Sequence, residues 1–179
     1  MFRNTRLPSV VVLLIALAAI LGLACPRAEA KPVPFKITGG GPAPHGLSLL
    51  GTPSLHEATG TATHLGKYSG EGHVIVDDFP TANNFHGSFV FVAANGDKLG
   101  CTYKGTYELS GAVDEAVVVF TATFTMVKAT STGRFANATG SFVMVATTEP
   151  IDLTASVDGV TPAFDYTWEG VGSIDLDKK

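Results

Sequence analysis

Apolar and polar residues alternate with a period of two along most of the chain after residue 57, and this pattern predicts β-strands. Residues 59–63 and 68–77 are rich in Thr, Val and Ile, which are typical strand residues. Leu65-Gly66-Lys67 between them indicates a bend. The two segments therefore predict neighbouring antiparallel strands.

The clearest hairpin lies between residues 85 and 109. Alternate phenylalanines fall on one face of its first arm, and the second arm alternates apolar residues with Lys and Thr. Asn95-Gly96-Asp97 connects the arms and supplies residues that tolerate a positive φ. This alternation indicates a sheet with one apolar face and one polar face.

Three later segments continue the pattern, at residues 116–128, 141–148 and 164–176. A helix is the competing interpretation of residues 116–128, but the β-branched residues and the period of two favour a strand. Short turns join six to eight such strands, so the sequence predicts an all-β fold. We expect a single antiparallel β-barrel of about eight strands, and a β-sandwich is the alternative.

Proline and glycine dominate residues 31–55 and interrupt the alternation. This composition predicts an extended Pro/Gly-rich arm. Pro34-Phe35-Lys36-Ile37 within it leaves open the addition of an edge strand. The β-barrel domain would then span residues 56–179.

Residues 1–30 have the form of a signal peptide. Two arginines precede an apolar run that ends at residue 24, and Ala28-Glu29-Ala30 matches the small-x-small cleavage site. Cleavage after Ala30 would give a secreted or periplasmic protein. A transmembrane anchor stays open, because the run approaches the ~18 residues that span a bilayer. Lipidation at Cys25 also stays open, and of the forms whose leader is cleaved only this lipoprotein would be attached to a membrane.

Charge and cysteine content narrow the function classes. Removing the leader changes Lys+Arg from 12 to 9 and Asp+Glu from 16 to 15, so the remaining net charge is 9 − 15 = −6. Without a Lys/Arg cluster, we expect no nucleic-acid partner. Cys101 would be the sole cysteine, so an intramolecular disulfide is excluded and we expect a buried thiol.

Candidate metal ligands are scattered along the predicted strands. His64, His73 and His86 could gather with Asp77 and Asp78, but no His-x-His or Cys-x-x-Cys spacing occurs. Adjacent strand residues point to opposite faces, so the two aspartates do not predict a catalytic carboxylate pair. The sequence also lacks Gly-x-Ser-x-Gly. It therefore predicts no metal and no cofactor, and its catalytic residues stay unknown.

Aromatic side chains on the apolar strand faces are the remaining functional signal. An eight-stranded barrel is just wide enough to be filled by side chains or to hold one small ligand. Core packing is the simpler account, whereas an open lumen would bind a small apolar molecule. The candidate ligand-binding residues are Phe89, Tyr103, Tyr107, Phe120, Phe124, Tyr166 and Trp168.

The most specific motif lies just before the predicted strand at residue 141. It reads Gly133-Arg134-Phe135-Ala136-Asn137-Ala138-Thr139-Gly140. The run resembles the Gly-x-Phe-x-x-Ala-x-Gly signature of the allene oxide cyclase and dirigent superfamily, although Ser131 replaces a preceding glycine of that signature. The resemblance implies an eight-stranded antiparallel barrel with Phe135 plugging one end. It also implies a homo-oligomer, since members often form dimers or trimers, but no catalytic carboxylate aligns.

Three functional hypotheses follow. The first is a secreted β-barrel protein that acts as a structural or small apolar-ligand-binding module. The alternative is an isomerase or cyclase acting on an apolar small molecule in the barrel lumen, as the resemblance implies. That activity would need a continuous pocket of roughly several hundred Å³ with at least one polar group. The third is an envelope-associated module tethered by the Pro/Gly-rich arm.

Overall fold

A computed structural model describes residues 31–77, 79 and 82–176 of the chain. They form eight strands: β1 (Val33–Ala43), β2 (Ser54–Ala62), β3 (Gly66–Asp77), β4 (Asn84–Ala93), β5 (Lys98–Ser110), β6 (Val117–Met126), β7 (Thr139–Thr148) and β8 (Phe164–Asp175). Across these ranges, no helix combines the length and hydrophobicity that a bilayer crossing requires. The predicted signal peptide at residues 1–30 lies outside the described residues.

Each strand pairs antiparallel with the next, and β1 pairs with β8 to close a barrel. The closing ladder runs in register from Val33 opposite Ile174 to Ala43 opposite Phe164. Closure leaves none of the eight described strands with a free edge. The predicted single antiparallel barrel is therefore confirmed, and the alternative β-sandwich is wrong.

Side chains alternate between a buried interior and an exposed outer face, as the period of two predicts. On β5, Cys101 and Tyr103 are buried, whereas Thr102 and Lys104 are exposed. Burial also raises the pKa of the Cys101 thiol to about 12. The thiol is therefore protonated and packs as a small apolar group, which confirms its predicted burial.

The structure corrects the predicted Pro/Gly-rich arm at residues 31–55. Part of it is β1, whose Phe35 is fully buried in the barrel. A Cβ added at Gly39 would lie 2.9 Å from the Trp168 indole nitrogen and closer still to the Tyr68 hydroxyl. Glycine is therefore needed here because large rings approach the backbone, and the segment belongs to the barrel instead of tethering it.

The two ends of the barrel differ in the length of their connections. At the end we call the closed end, residues 63–65 and 94–97 form short turns, and residues 127–138 form a longer loop. Phe135 from this loop is fully buried in the core, as the motif predicts. The opposite end, the mouth, carries the connections at residues 44–53, 111–116 and 149–163.

Candidate functional site

A cavity of about 70 Å³ occupies the half of the barrel nearer the mouth. All eight strands or their adjoining residues contribute to its wall, so the cavity is part of the lumen. It is lined by Ala43, Leu47, His56, Val74, Phe85, Tyr103, Phe120, Ala122, Phe124, Met144, Ala146, Phe164, Tyr166 and Trp168. Most of the atoms that face the cavity are carbon, and the few polar atoms belong to His56 and its neighbours.

His56 enters the lumen from β2, a strand whose inward positions otherwise carry small side chains. These positions are Ser54, His56, Ala58, Gly60 and Ala62. The histidine ring is buried and packs against the rings of Phe89 at 5.0 Å and Trp168 at 6.3 Å between centroids. Small neighbours on its own strand leave the space that these facing aromatic rings occupy.

Two tyrosine hydroxyls contact the two ring nitrogens of His56. Nδ1 lies 3.0 Å from the Tyr166 hydroxyl, and Nε2 lies 2.8 Å from the Tyr103 hydroxyl. The Tyr166 hydroxyl in turn lies 2.7 Å from the Glu57 carbonyl oxygen, and the Tyr103 hydroxyl lies 3.0 Å from the His73 carbonyl oxygen. We call His56, the two tyrosines and the two backbone carbonyls that the tyrosines contact the His56 chain.

The Glu57 carbonyl depends on Tyr166 for its hydrogen because the β1–β2 ladder cannot supply one. Lys36 and Thr63 form a hydrogen-bonded pair of this ladder, and alternate pairs repeat that geometry. Continuing the register places Pro42 opposite Glu57, and proline has no N–H to donate. The tyrosine hydroxyl from β8 therefore takes the place of a missing backbone donor.

A second hydrogen-bond chain lies deeper in the barrel. The Trp168 indole N–H donates to the Tyr68 hydroxyl at 2.7 Å, and that hydroxyl donates to the Thr38 carbonyl at 3.2 Å. Each of its two contacts has a hydrogen of its own. This chain fixes Trp168 in the wall between the cavity and the packed core.

Burial keeps the side chains of both hydrogen-bond chains uncharged near neutral pH. Desolvation, with a smaller contribution from nearby His73, lowers the pKa of His56 to about 4. Burial raises the pKa of Tyr103 and of Tyr166, and it raises that of Tyr68 to about 12. The lumen therefore presents neutral groups to anything that enters it.

We expect Gly87→Ala to destabilise the barrel by about 2 kcal/mol, because it overpacks the wall beside Tyr103. A Cβ at Gly87 would lie 2.5 Å from the Tyr103 ring and closer still to the His73 carbonyl oxygen, which the backbone holds in place. Urea unfolding measures the loss. Ser88→Ala on the exposed face of β4 is the control and should change stability by less than about 0.5 kcal/mol; equal effects would contradict this account.

The structure brings together most of the predicted ligand-binding residues. Five of them line the cavity: Tyr103, Phe120, Phe124, Tyr166 and Trp168. Phe89 is fully buried beneath it, against His56. Tyr107 lies outside the cavity wall, and its hydroxyl donates to the Ala82 carbonyl at 3.1 Å. A ligand-binding role for these residues stays a prediction.

The histidines singled out from the sequence do not lie in the lumen. His64 sits in the β2–β3 turn, and His73 and His86 are exposed on the outer face, where His86 lies 3.1 Å from Asp77. Asp78 lies outside the described residues. Within the described ranges, no group of three His, Cys, Asp or Glu side chains could hold a metal ion.

Two connections cover the mouth and hold each other in place. The Leu47 amide donates to the Thr161 hydroxyl at 2.8 Å, the Thr161 amide donates to the Leu47 carbonyl at 3.0 Å, and Leu49 donates to Gly159 at 2.8 Å. Leu47 and Phe120 also line a second cavity of about 20 Å³ on the outer side. These connections therefore lie over the mouth end of the main cavity, and Leu47 contributes to the wall of both cavities.

No protein-family model matches the chain, and no curated protein or solved structure matches it significantly. The resemblance of residues 133–140 to the allene oxide cyclase and dirigent signature therefore stays a prediction, and so does the homo-oligomer that it implies. The cavity and the His56 chain are the observations from which function can be argued.

Proposed function

We propose that this protein binds a small apolar molecule in the mouth half of its barrel. The observation that carries the proposal is a lumen cavity whose wall is almost entirely carbon, because its polar atoms are engaged with one another. A hydrocarbon that enters such a space loses contact with water, at about 25 cal/mol for each Å² of apolar surface removed. It leaves no polar group of the wall unpaired.

The volume of the cavity sets the size of the ligand. At about 70 Å³ it is smaller than the cavities of about 150 Å³ that are known to accept benzene. The fit is therefore to a compact body of about five heavy atoms, or to the end of a longer molecule that extends out of the cavity. A secreted or periplasmic location, as the leader predicts, would place this site outside the cytoplasm.

Cyclopentane is a suitable probe, and Trp168 reports its binding because it is the single tryptophan of the chain. We expect cyclopentane to shift the indole N–H resonance of Trp168 saturably, with a Kd of about 1 mM or tighter. Ala146→Leu adds carbon atoms to the cavity wall and should weaken binding at least about tenfold.

Thr147→Leu is the matched control, since it adds carbon atoms on the exposed face of the same strand. It should leave the affinity for cyclopentane unchanged. A Trp168 resonance that never saturates with cyclopentane, or equal affinity in Ala146→Leu and wild type, would rule the proposal out.

A second candidate function is an isomerase or cyclase acting on an apolar small molecule, and one observation favours it. His56 is a neutral imidazole in an apolar cavity, which is the protonation state that a general base requires, but burial lowers its pKa to about 4 and both ring nitrogens already contact tyrosine hydroxyls. The cavity is, however, well below the roughly 300 Å³ of pockets that enclose a whole drug-sized molecule. Binding is therefore the better supported function.

A further inference from the structure

Well-exposed valines are concentrated at one place on the outer wall of the barrel. Of the large hydrophobic residues that are well exposed in the described part of the chain, four lie towards the mouth: Leu50, Leu109, Val113 and Val157. The other three point outward from the adjacent strands β7 and β8: Val143, Val145 and Val171. Val143 lies directly opposite Val171 in the β7–β8 ladder, and Val145 is two positions further along β7. The three valines therefore form one patch.

The wall beside this patch carries no charge. β6 and β7, which the structure describes over their full lengths, contain no Asp, Glu, Lys or Arg. Thr123 and Thr121 of β6 lie opposite Val143 and Val145, so methyl groups continue onto the next strand. In contrast, β3 on the opposite side of the barrel exposes both acidic and basic side chains. The outer wall is thus apolar on one side and charged on the other.

Two opposite charges lie at the edge of the patch. Lys36 on β1 is opposite Val171 on β8, and Glu169 on β8 is opposite Thr38 on β1. Both charged side chains are exposed, and neither forms an ion pair with another residue in the described ranges. Each is therefore available to a charge on another molecule.

This part of the wall is indented. A shallow depression of about 330 Å³ lies here, and the three valines line it together with the two charged residues. A barrel wall is otherwise convex, and a depression lets side chains of a second surface approach it closely. We call these five residues the valine face: Lys36, Val143, Val145, Glu169 and Val171.

The strand register defines how two copies can meet on the valine face. Neighbouring strands are about 4.8 Å apart, and alternate residues are about 6.7 Å apart along a strand. Lys36 and Glu169 are diagonal neighbours across the β1–β8 ladder, roughly 8 Å apart. A two-fold axis that lies in the plane of the face, midway between them, places Lys36 of each copy opposite Glu169 of the other.

The same axis also pairs the valines. On this grid of strand and residue spacings it passes within roughly 2 Å of Val143 and of Val171. Each of these valines therefore packs against its own counterpart in the second copy. One symmetry operation thus buries the apolar patch and gives both charges a partner of opposite sign.

We propose that the valine face is the contact between two copies of this protein in a two-fold symmetric dimer. The occupant is a second copy because the face is complementary to itself in both shape and charge. Such a contact closes at two copies, since each uses the same surface. This inference goes beyond the proposed function and does not rest on it, because the valine face lies on the outside of the barrel and the cavity on the inside.

The first test is the mass of the wild-type protein as a function of its concentration. The contact is small, which places it at the weak end of specific interfaces, and we expect a Kd of about 20 µM. Sedimentation velocity at pH 7 and low salt should then show mainly monomer at about 1 µM and mainly dimer at about 300 µM.

Two charge reversals test the pairing across the axis. Lys36→Glu and Glu169→Lys each set like charges opposite one another, and each should raise the Kd at least about tenfold. In an equimolar mixture of the two variants, both contacts of a mixed dimer join a glutamate to a lysine. The mixture should therefore dimerise with a Kd within about threefold of the wild type. An ion pair within one copy would not be restored by mixing.

Three further variants complete the design. Val171→Glu places two like charges close to the axis and should also raise the Kd at least about tenfold. Lys67→Glu and Glu71→Lys make the same charge changes on the exposed face of β3 and should leave the Kd within about twofold of the wild type. These controls separate pairing at the valine face from a general effect of net charge.

Four results would overturn the proposal. A wild-type protein that stays monomeric at about 300 µM does so and leaves the face to a different protein or to a membrane. A trimer or larger assembly excludes the two-fold contact. A dimer that survives both charge reversals uses another surface, and a mixture that stays monomeric rules out the pairing of Lys36 with Glu169. The wild-type concentration series stands even if a variant does not fold.

Discussion

Phe135→Ala is expected to lower the free energy of unfolding by about 4 kcal/mol. The phenyl ring is fully buried at the closed end, so its removal leaves a void as well as lost apolar burial. The loop that carries it cannot easily collapse into that void. The Thr132 amide donates to the Lys98 carbonyl at 2.8 Å, and the Gly100 amide donates to the Ser131 hydroxyl at 3.0 Å. Urea unfolding of the two proteins measures the difference.

Two further substitutions serve as controls for this prediction. Phe135→Leu keeps most of the buried volume and should cost less than about 1.5 kcal/mol. Arg134→Ala removes an exposed guanidinium that lies 4.9 Å from the centroid of the Phe135 ring, and should cost less than about 1 kcal/mol. A loss below about 1 kcal/mol for Phe135→Ala would show that the ring is not an essential part of the core.

Lowering the pH from 7.5 to 4 is expected to cost about 3 kcal/mol of stability through His56 alone. The pKa of the ring is 6.5 in the unfolded chain and about 4 in the folded barrel. Near pH 7.5 the ring is neutral in both states, and its full contribution is present. As the pH falls through 6.5 towards 4, the unfolded chain binds a proton that the folded chain does not, so stability decreases.

The measurement is the free energy of unfolding as a function of pH in the wild-type protein and in His56→Leu. Other groups titrate in the same range, so the quantity to compare is the slope between pH 6.5 and 4. The wild-type protein should lose stability more steeply than the variant there, and the two slopes should converge below pH 4. Parallel curves across the whole range would contradict a buried neutral imidazole.

The strands and the closed end could be predicted from the sequence because both depend on local patterns. The alternation of apolar and polar residues along β4, β5 and β6 indicates which side of the sheet faces the lumen. Strands that are consecutive in the sequence are also neighbours in the barrel. Phe135 was identifiable because it sits inside a short contiguous motif. In each case the information lies within about a dozen residues.

β1 and His56 were missed for a different reason. The glycines around Gly39 resemble a flexible segment until one knows that the rings of Tyr68 and Trp168 approach them, and those rings come from β3 and β8. His56 is one histidine on a strand of small residues, and its partners Tyr103 and Tyr166 lie 47 and 110 positions further along the chain. Such contacts depend on barrel closure, and a local pattern does not encode them. The one available signal in the sequence was that His56 falls on the same strand face as the small residues of β2, and this face points into the barrel.

Closure by β1 and β8 also has a consequence for the order in which the chain can fold. Seven of the eight ladders join consecutive strands and can form as hairpins soon after each strand is synthesised. The eighth ladder must wait until six intervening strands have been made, and until then β1 and the growing sheet expose an unpaired edge. The contact of His56 with Tyr166 and that of Trp168 with Tyr68 both cross this last seam, so this part of the cavity wall forms only when the barrel closes.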